Sequence, residues 1–288
     1  MELKKILTGI EGLKAKGNLE LEIPKITSDS REVKTGDLFV AIKGFSTDGH
    51  KYINNAIKAG AKVVMVEEGA DLSSIELPDD VTVIMAKDTR EALAICSCNF
   101  YENPSKKFKL IGVTGTKGKT TTTFMIKEIL EKAGHKVGLI GTIATYINGR
   151  MVSESSRTTP ESIELQKTFA QMVEDGVEYV VMEVSSQSLK LHRVDGCAFD
   201  IVLFTNFSED HISEKEHPNM QDYFESKLKL FKMCDNGIIN VDDIQVAKIP
   251  KLFPESKIMT YGIDNYCEVL AKDITITNSY VDFRVKVS

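Results

Sequence analysis

A glycine-rich turn between an apolar stretch and a helical stretch constrains this chain more than any other feature. The segment Gly112–Thr121 reads Gly-Val-Thr-Gly-Thr-Lys-Gly-Lys-Thr-Thr; it overlaps the apolar run Lys109–Thr114 and leads into the helical pattern Lys119–Lys132. Glycines here let the backbone turn tightly, so that successive amides point at one anion, and the helix N-terminus adds partial positive charge. The pattern predicts a strand, a phosphate-binding loop and a helix.

Individual roles follow from the spacing within this loop. Lys119 is spaced to reach the β- and γ-phosphates of ATP, and the Thr120 hydroxyl is spaced to ligate Mg²⁺. The common pattern has glycine five residues before Gly118, where this chain has Val113. A glycine turn with a chance Gly-Lys-Thr is the alternative, but strand, loop and helix all agree with a nucleotide site. The predicted ATP-binding residues are Gly115, Thr116, Lys117, Gly118, Lys119, Thr120 and Thr121.

Composition excludes several other classes of protein. The 288 residues are 42% hydrophobic and 27% charged, which is typical of a soluble globular chain with room for two domains. A net charge of −6 without a basic face argues against a nucleic-acid partner. No apolar run approaches the roughly 18–20 residues that span a bilayer. The start, Met1–Lys16, is spaced like an amphipathic helix and lacks a signal-peptide core. We expect a cytoplasmic monomer without membrane contacts, whose five cysteines are reduced thiols.

The element pattern divides the chain into two domains. Residues 1–104 predict a small mixed α/β N-terminal domain, in which the helix His50–Ala59 stops at Gly60. Residues 105–288 predict a P-loop, doubly wound central ATPase domain, because short apolar strands alternate with helices. A helix is expected to open at Thr159-Pro160 with Thr159 as its hydroxyl cap. Alternating apolar residues after Asp273 indicate a β-hairpin, and we expect that the domain is truncated there.

Polar residues follow two of the apolar strands, at the edge where parallel sheets bind ligands. Glu183 ends one strand and offers a hard carboxylate for Mg²⁺, and His211 follows the next strand as a possible further ligand. The alternatives are a solvent-facing glutamate and a histidine that caps a loop. Beside a phosphate loop, the metal interpretation is favoured for Glu183.

Lys227 has an unusual position on the helix predicted over Met220–Met233. It lies three and four residues after Phe224 and Tyr223, within an apolar stripe. A lysine held against apolar groups has a lowered pKa and a reactive neutral amine. The alternative is a lysine that extends to the rim of the stripe, and the sequence leaves both open.

Together these motifs resemble the Mur ligase family, over essentially the whole chain. The phosphate loop of Mur ligases also occurs in folylpolyglutamate synthases and does not distinguish the two families. The N-terminal motifs therefore identify the Mur ligase family more specifically. The resemblance is carried by Thr27–Arg31, Gly36–Ala41, Gly115–Thr120, Thr158–Pro160, Met182–Ser186 and Glu225–Lys227.

The resemblance implies an ATP- and Mg²⁺-dependent ligase of peptidoglycan synthesis. It would add an amino acid, diaminopimelate or L-lysine, to UDP-N-acetylmuramoyl-L-alanyl-D-glutamate through an acyl phosphate. The resemblance makes Ser30 a uridine contact and Lys119 a catalytic residue. It makes Lys227 a carbamylated catalytic lysine, and it makes Glu183 and His211 metal ligands. The implied contacts to the muramoyl-dipeptide are Thr158, Thr159, Ser185 and Arg193.

Some features depart from the family pattern. The stretch Ile212–Pro218 differs from the aspartate–tyrosine–histidine sequence of many members, which puts His217 in doubt as a site residue. The family's third domain has no counterpart, so we expect this chain to bind substrates without turning them over. Another Mur-type or folylpolyglutamate ligase, or a non-catalytic P-loop nucleotide-binding protein, remains an alternative.

Overall fold

The computed structural model describes residues 1–44, 47–210, 212–213 and 216–288. The chain forms two compact units, and the second contains residues 105–160, 171–190 and 198–288. The first contains residues 1–104 together with Glu161–Ala170 and Leu191–Cys197, two segments that the sequence pattern assigned to the second domain. The division of function between a precursor-binding and an ATP-binding domain stays a prediction.

The first unit is built on a sheet with strand order β1-β5-β4-β3-β2. Strand β1 is antiparallel to β5, and the other neighbours are parallel. The strands are β1 (Lys14–Lys16), β2 (Ile26–Thr27), β3 (Leu38–Val40), β4 (Val63–Glu67) and β5 (Thr82–Ala86), and the helices are α1 (Leu3–Ile6), α2 (Ile53–Ala59) and α3 (Thr89–Phe100).

Strand β3 lies inside this sheet and is buried on both faces, which explains why it is apolar at every position. Leu38 and Val40 pack in one hydrophobic cluster, while Phe39 between them packs in the other. A 3₁₀ turn, Gly49–Tyr52, precedes α2, and α2 ends as predicted at Gly60, whose φ is +113°.

The sequence predicted an amphipathic helix over Met1–Lys16, and this prediction is wrong beyond the first helical turn. Helix α1 covers only Leu3–Ile6, and Lys14–Lys16 form strand β1 instead. Gly9 and Gly12 both have left-handed backbones, with φ of +82° and +70°, which a continuing helix does not allow.

The second unit is built on a larger sheet with strand order β15-β14-β13-β12-β11-β6-β10-β7-β8-β9. Neighbours from β14 to β7 are parallel, and an antiparallel hairpin lies at each edge. The strands are β6 (Lys109–Thr114), β7 (Val137–Ile140), β8 (Ala144–Ile147), β9 (Arg150–Glu154), β10 (Tyr179–Glu183), β11 (Ile201–Phe204), β12 (Asn236–Asn240), β13 (Lys257–Gly262), β14 (Val269–Ile276) and β15 (Val281–Val287). The helices are α4 (Lys119–Lys132), α6 (Ser186–Lys190), α7 (Met220–Leu228) and α8 (Ile249–Leu252). A further helix, α5 (Ser162–Glu174), precedes β10, and its residues up to Ala170 belong to the first unit.

The strand order creates a crevice at the carboxyl end of β6. The chain leaves β6 through α4 to β7, but β10 lies between these two strands, and β11 lies on the other side of β6. Helices therefore depart from β6 in one direction and from β11 in the other, which opens the sheet edge for a ligand. The doubly wound fold is confirmed, and so is the hairpin expected near Asp273.

Two local features between β7 and β10 differ from expectation. The hairpin formed by β8 and β9 was not predicted from the sequence. Helix α5 begins at Ser162 rather than at Thr159, and its first helical hydrogen bond, from Leu165 N, goes to the carbonyl of Glu161. The Thr159 hydroxyl is not a helix cap, because it bonds to the end of β10 instead.

No helix within the described ranges is long and apolar enough to cross a membrane.

Two glycines inside the large sheet make a matched test of its packing. A Cβ at Gly112 would lie 2.7 Å from the rigid ring of Phe199, whereas a Cβ at Gly138 would lie 2.7 Å from the flexible thioether of Met172. We expect Gly112→Ala to lower the free energy of unfolding by about 1–3 kcal/mol through overpacking. Gly138→Ala should cost less than half as much in urea titrations, and an equal cost would contradict this account.

Candidate active site

The loop between β6 and α4 is fixed against the end of β11. Gly115 has φ of +142°, and a Cβ there would lie 2.0 Å from the Thr205 hydroxyl oxygen, so no side chain fits. Thr205 Oγ1 donates to the carbonyl of Lys117 at 2.7 Å. The Asn206 side chain accepts from Lys117 N at 2.9 Å and donates to Lys117 O at 3.0 Å. Thr205 and Asn206 therefore brace the loop, a role that the sequence did not assign although both follow an apolar strand.

Positive charge and free amides face the same point of the loop. Gly118, with φ of +84°, stands at the N-cap of α4 without a capping side chain, so the first amides of this helix remain available to an anion. Lys119 Nζ donates to the carbonyls of Gly115 at 2.9 Å and Thr116 at 3.1 Å. Burial lowers the pKa of Lys119. These groups suit a polyphosphate.

The other predicted loop residues divide by exposure. Thr116 is buried and exchanges hydrogen bonds with Ser208. Lys117 is exposed and forms an ion pair with Asp210 at 2.7 Å. Thr121 is exposed on the first turn of α4.

Glu183 is fully buried at the end of β10 and accepts three hydrogen bonds. Thr120 Oγ1 donates at 3.0 Å, and Thr142 donates through its backbone amide at 2.9 Å and its hydroxyl at 3.1 Å. A Cβ on Gly141 would lie 2.4 Å from the carboxylate, so this glycine makes room for it. Thr142 was missed by sequence reasoning, because its closeness to Glu183 depends on strand pairing.

The oxygens of Glu183, Thr120 and Thr142 fit a hard cation that completes its shell with phosphate and water, as Mg²⁺ does. The described residues contain no group of three or more His, Cys, Asp and Glu side chains that could hold a metal alone. His211 lies outside the described residues.

The predicted muramoyl-dipeptide contacts of the second unit gather beside Glu183. The Thr158 hydroxyl oxygen lies 3.1 Å from the Thr142 hydroxyl oxygen. Thr159 is buried; its hydroxyl donates to the Glu183 carbonyl at 2.9 Å and accepts from Ser185 N at 3.1 Å. Thr159 thereby holds the end of β10.

Two predicted substrate residues belong to the first unit. Ser30 is partly exposed, next to Asp29, which accepts three hydrogen bonds from the Arg31 guanidinium. Arg193 is buried and forms an ion pair with Glu161 at 2.9 Å.

Lys227 is only 1% exposed, which resolves the choice that its sequence position left open. Its Nζ donates to Gly115 O at 2.9 Å, the same carbonyl that receives Lys119, and lies 4.5 Å from the centre of the Tyr223 ring. Burial, with a further contribution from the charge of Lys119, holds the pKa of Lys227 well below its ordinary value. The neutral amine expected from the apolar stripe is therefore favoured.

The glycine loop at the switch point of a doubly wound sheet, with a lysine, a hydroxyl and a carboxylate around it, defines a P-loop α/β protein. Models of the Mur ligase middle domain match residues 113–288, and models of the Mur ligase family catalytic domain match residues 22–101. The chain belongs to the Mur ligase family.

Several curated relatives are close in sequence. The chain is 50% identical over 283 residues to the UDP-N-acetylmuramoyl-L-alanyl-D-glutamate–2,6-diaminopimelate ligase of Clostridium botulinum, covering 98% of this chain and 57% of that protein. It is 47% identical to the ligase of the same name from Clostridium tetani, covering 99% and 58%. A solved structure of a ligase of this name has a TM-score of 0.81 at 23% identity, over 99% of this chain and 57% of that one. The chain thus spans somewhat more than half the length of these relatives.

The close approach of Gly115 to Thr205 predicts a loss of nucleotide binding when a side chain is added. Gly115→Ala should weaken affinity for an ATP analogue at least about tenfold, the effect of about 1.4 kcal/mol of lost binding energy. Gly149→Ala is the matched control, because Gly149 also has a left-handed backbone but no atom lies within 4 Å of its added Cβ. Titration calorimetry would measure both, and unchanged affinity in Gly115→Ala would contradict the loop geometry.

We expect Lys227 to lower the stability of the folded chain at neutral pH. Its folded pKa is depressed, so below the ordinary value of 10.5 the unfolded chain binds a proton that the folded chain disfavours. In CO₂-free buffer, Lys227→Met should raise the Tm by about 2–4 °C at pH 7, and the gain should shrink towards pH 10.5.

Lys127 provides a matched control for this measurement. It is also buried; burial opposes its charge, but hydrogen bonds to Glu131 and Glu128 raise its pKa. Lys127→Met should therefore lower the Tm. A lower Tm in both variants would argue that Lys227 is an ordinary charged partner.

Proposed function

We propose that this chain is the substrate- and ATP-binding part of a ligase that adds diaminopimelate to UDP-N-acetylmuramoyl-L-alanyl-D-glutamate in peptidoglycan synthesis. The observation that carries the proposal is the identity of half the aligned positions, over nearly the whole chain, with the Clostridium botulinum ligase. The arrangement of Lys119, Glu183 and Lys227 around the phosphate loop supports it with a chemical rationale.

The reaction requires that a carboxylate be activated, because a carboxylate is a poor electrophile. A carboxylate oxygen of the dipeptide attacks the γ-phosphorus of ATP, which forms an acyl phosphate and releases ADP. The neutral amine of diaminopimelate then attacks the acyl carbon, phosphate leaves, and the nitrogen loses a proton. Lys119 and the loop amides offset the negative charge on the transferring phosphoryl oxygens.

Thr120 and Glu183 are the described residues that would hold Mg²⁺, with His211 proposed as a further ligand. When bound, Mg²⁺ would neutralise charge on the phosphate oxygens. The hydrogen bonds from Thr142 orient the Glu183 carboxylate, so that its oxygens stay at the loop.

Lys227 would act as a carbamate. Its neutral nitrogen attacks the carbon of CO₂ and releases one proton, which turns a buried neutral amine into an anion beside the loop. Burial and the nearby Lys119 both favour the neutral amine that this step requires, and the positive charge of Lys119 also favours the anion that it forms.

The remaining residues would bind the precursor. We propose that Thr158 and Ser185 contact the muramoyl-dipeptide, and that Ser30 contacts uridine. The side chain of Thr159, which the sequence also assigned to the dipeptide, is buried and holds the end of β10 beside these contacts. Arg193, which pairs with Glu161 in this structure, would contact the dipeptide by exchanging this glutamate for a carboxylate of the substrate.

Calorimetric titration of the chain with UDP-N-acetylmuramoyl-L-alanyl-D-glutamate tests the substrate class. Saturable binding is expected, and Ser30→Ala should weaken it about tenfold, as expected for the loss of one well-placed hydrogen bond of about 1.4 kcal/mol. An ATP analogue with Mg²⁺ should bind separately, and Glu183→Gln should weaken its dependence on Mg²⁺. If a folded sample binds the ATP analogue normally but does not bind the UDP-precursor, the proposed role in peptidoglycan synthesis is refuted.

A further inference from the structure

A completely buried histidine in the second unit has no part in this chemistry. His217 is 0% exposed, and both of its ring nitrogens have polar partners. Nδ1 lies 2.6 Å from Asp222 Oδ2, and Nε2 lies 2.9 Å from Ser186 Oγ. The same Asp222 oxygen receives Lys190 Nζ at 2.7 Å. We refer to Ser186, Lys190, His217 and Asp222 as the histidine cluster.

The charges in the histidine cluster are balanced. Burial lowers the pKa of His217 against the effect of Asp222, which favours the neutral ring. Burial also opposes the charge of Asp222, but hydrogen bonds from Lys190 and His217 hold its pKa below the ordinary value. A neutral ring donates from one nitrogen and accepts at the other, which assigns the proton to Nδ1 and makes Ser186 the donor to Nε2. Ser186 and His217 are buried, while Lys190 and Asp222 are partly exposed. The buried half of this satisfied network therefore restricts the geometry of the ring.

A serine, an imidazole and a carboxylate in this order also form nucleophilic triads. Ser186 is only 5% exposed and His217 is fully buried, so a substrate has no access to the hydroxyl. Burial therefore favours a role in positioning over one in nucleophilic catalysis.

The histidine cluster joins two elements that carry site residues. Ser186 begins α6, three residues after Glu183 at the end of β10. Asp222 lies in the first turn of α7, whose N-cap Asn219 accepts a hydrogen bond from Asp222 N. His217 thus ties the end of β10 to the start of α7, and its ring also packs against Tyr223 at a centroid distance of 5.0 Å.

Helix α7 touches the phosphate loop through two side chains one turn apart. Tyr223 is fully buried, and its hydroxyl donates to Thr116 Oγ1 at 3.3 Å. Lys227 reaches Gly115 O from the next turn, and its Nζ lies over the Tyr223 ring. Any shift at the start of α7 would therefore move both contacts to the loop.

We propose that His217 is a positioning residue, which sets α7 so that Tyr223 and Lys227 hold the phosphate loop in its nucleotide-binding shape. The proposal rests on the nucleotide site of the proposed function and deepens it. Within the part of the chain that the structure describes, His217 makes no hydrogen bond to the loop or to Lys227, and it acts on them through Tyr223.

Two readouts test this role, the dissociation constant of an ATP analogue with Mg²⁺ and the protection of Lys227 from an amine-acylating reagent, followed by mass spectrometry. His217→Ala should weaken analogue binding about tenfold, the effect of about 1.4 kcal/mol, and should expose Lys227 to acylation. His217→Gln, whose amide can keep one of the two hydrogen bonds, should recover at least half of the loss on a logarithmic scale. Ser186→Ala should act in the same direction by a smaller factor.

His50→Gln is the matched control. His50 also pairs through Nδ1 with a carboxylate, Asp48, at 2.6 Å, but it belongs to the first unit. This variant should lower the Tm to a similar extent and leave the analogue affinity unchanged. A purely structural role of His217 would make the two variants behave alike.

The outcomes separate this proposal from the proposed function. If the unmodified chain does not bind the analogue, the nucleotide site fails, and the acylation of Lys227 still decides the role of His217. If His217→Ala leaves both readouts unchanged, the proposal is overturned. Should that variant not fold, His217→Gln and Ser186→Ala give the same decision. Labelling of Ser186 by a fluorophosphonate would overturn the proposal in favour of a nucleophile.

Discussion

The contact between Gly115 and Thr205 is the constraint on which the rest of the site depends. A side chain at position 115 would overlap the threonine hydroxyl, so the backbone of the loop lies directly against the end of β11. Thr205 and Asn206 then hold Lys117 by its main chain. The carbonyl of Gly115 accepts hydrogen bonds from both Lys119 and Lys227. The positions of these two side chains therefore depend on the close approach of Gly115 to Thr205.

Two lysines on one carbonyl are electrostatically unfavourable unless one is neutral. Lys119 is partly open to an incoming anion, whereas Lys227 is buried against the Tyr223 ring, so burial disfavours the charge on Lys227 more strongly. Glu183 stands across the loop with hydroxyl and amide donors around it. The site thus separates a cationic side, suited to phosphate, from an anionic oxygen cluster, suited to a hard metal ion.

Polar groups buried behind the site hold these charges in place. Thr159 bonds to two main-chain groups at the end of β10, and His217 connects the following turn to α7. Neither side chain is available to solvent, so each lowers the freedom of a segment that carries a site residue. The fold supports the site through such bonds as much as through its apolar core.

The amino-acid sequence by itself determined the phosphate loop, the doubly wound fold and the position of Lys227 within an apolar stripe, because each depends on spacing along the chain. Glycines between a strand and a helix have the same meaning wherever the segment lies. Only the tertiary structure decided that Lys227 is buried rather than extended to the rim, that Thr142 bonds Glu183, that Thr159 holds β10 instead of capping α5, and that His217 is buried. These contacts join residues of different elements, and strand order and register set them rather than local pattern.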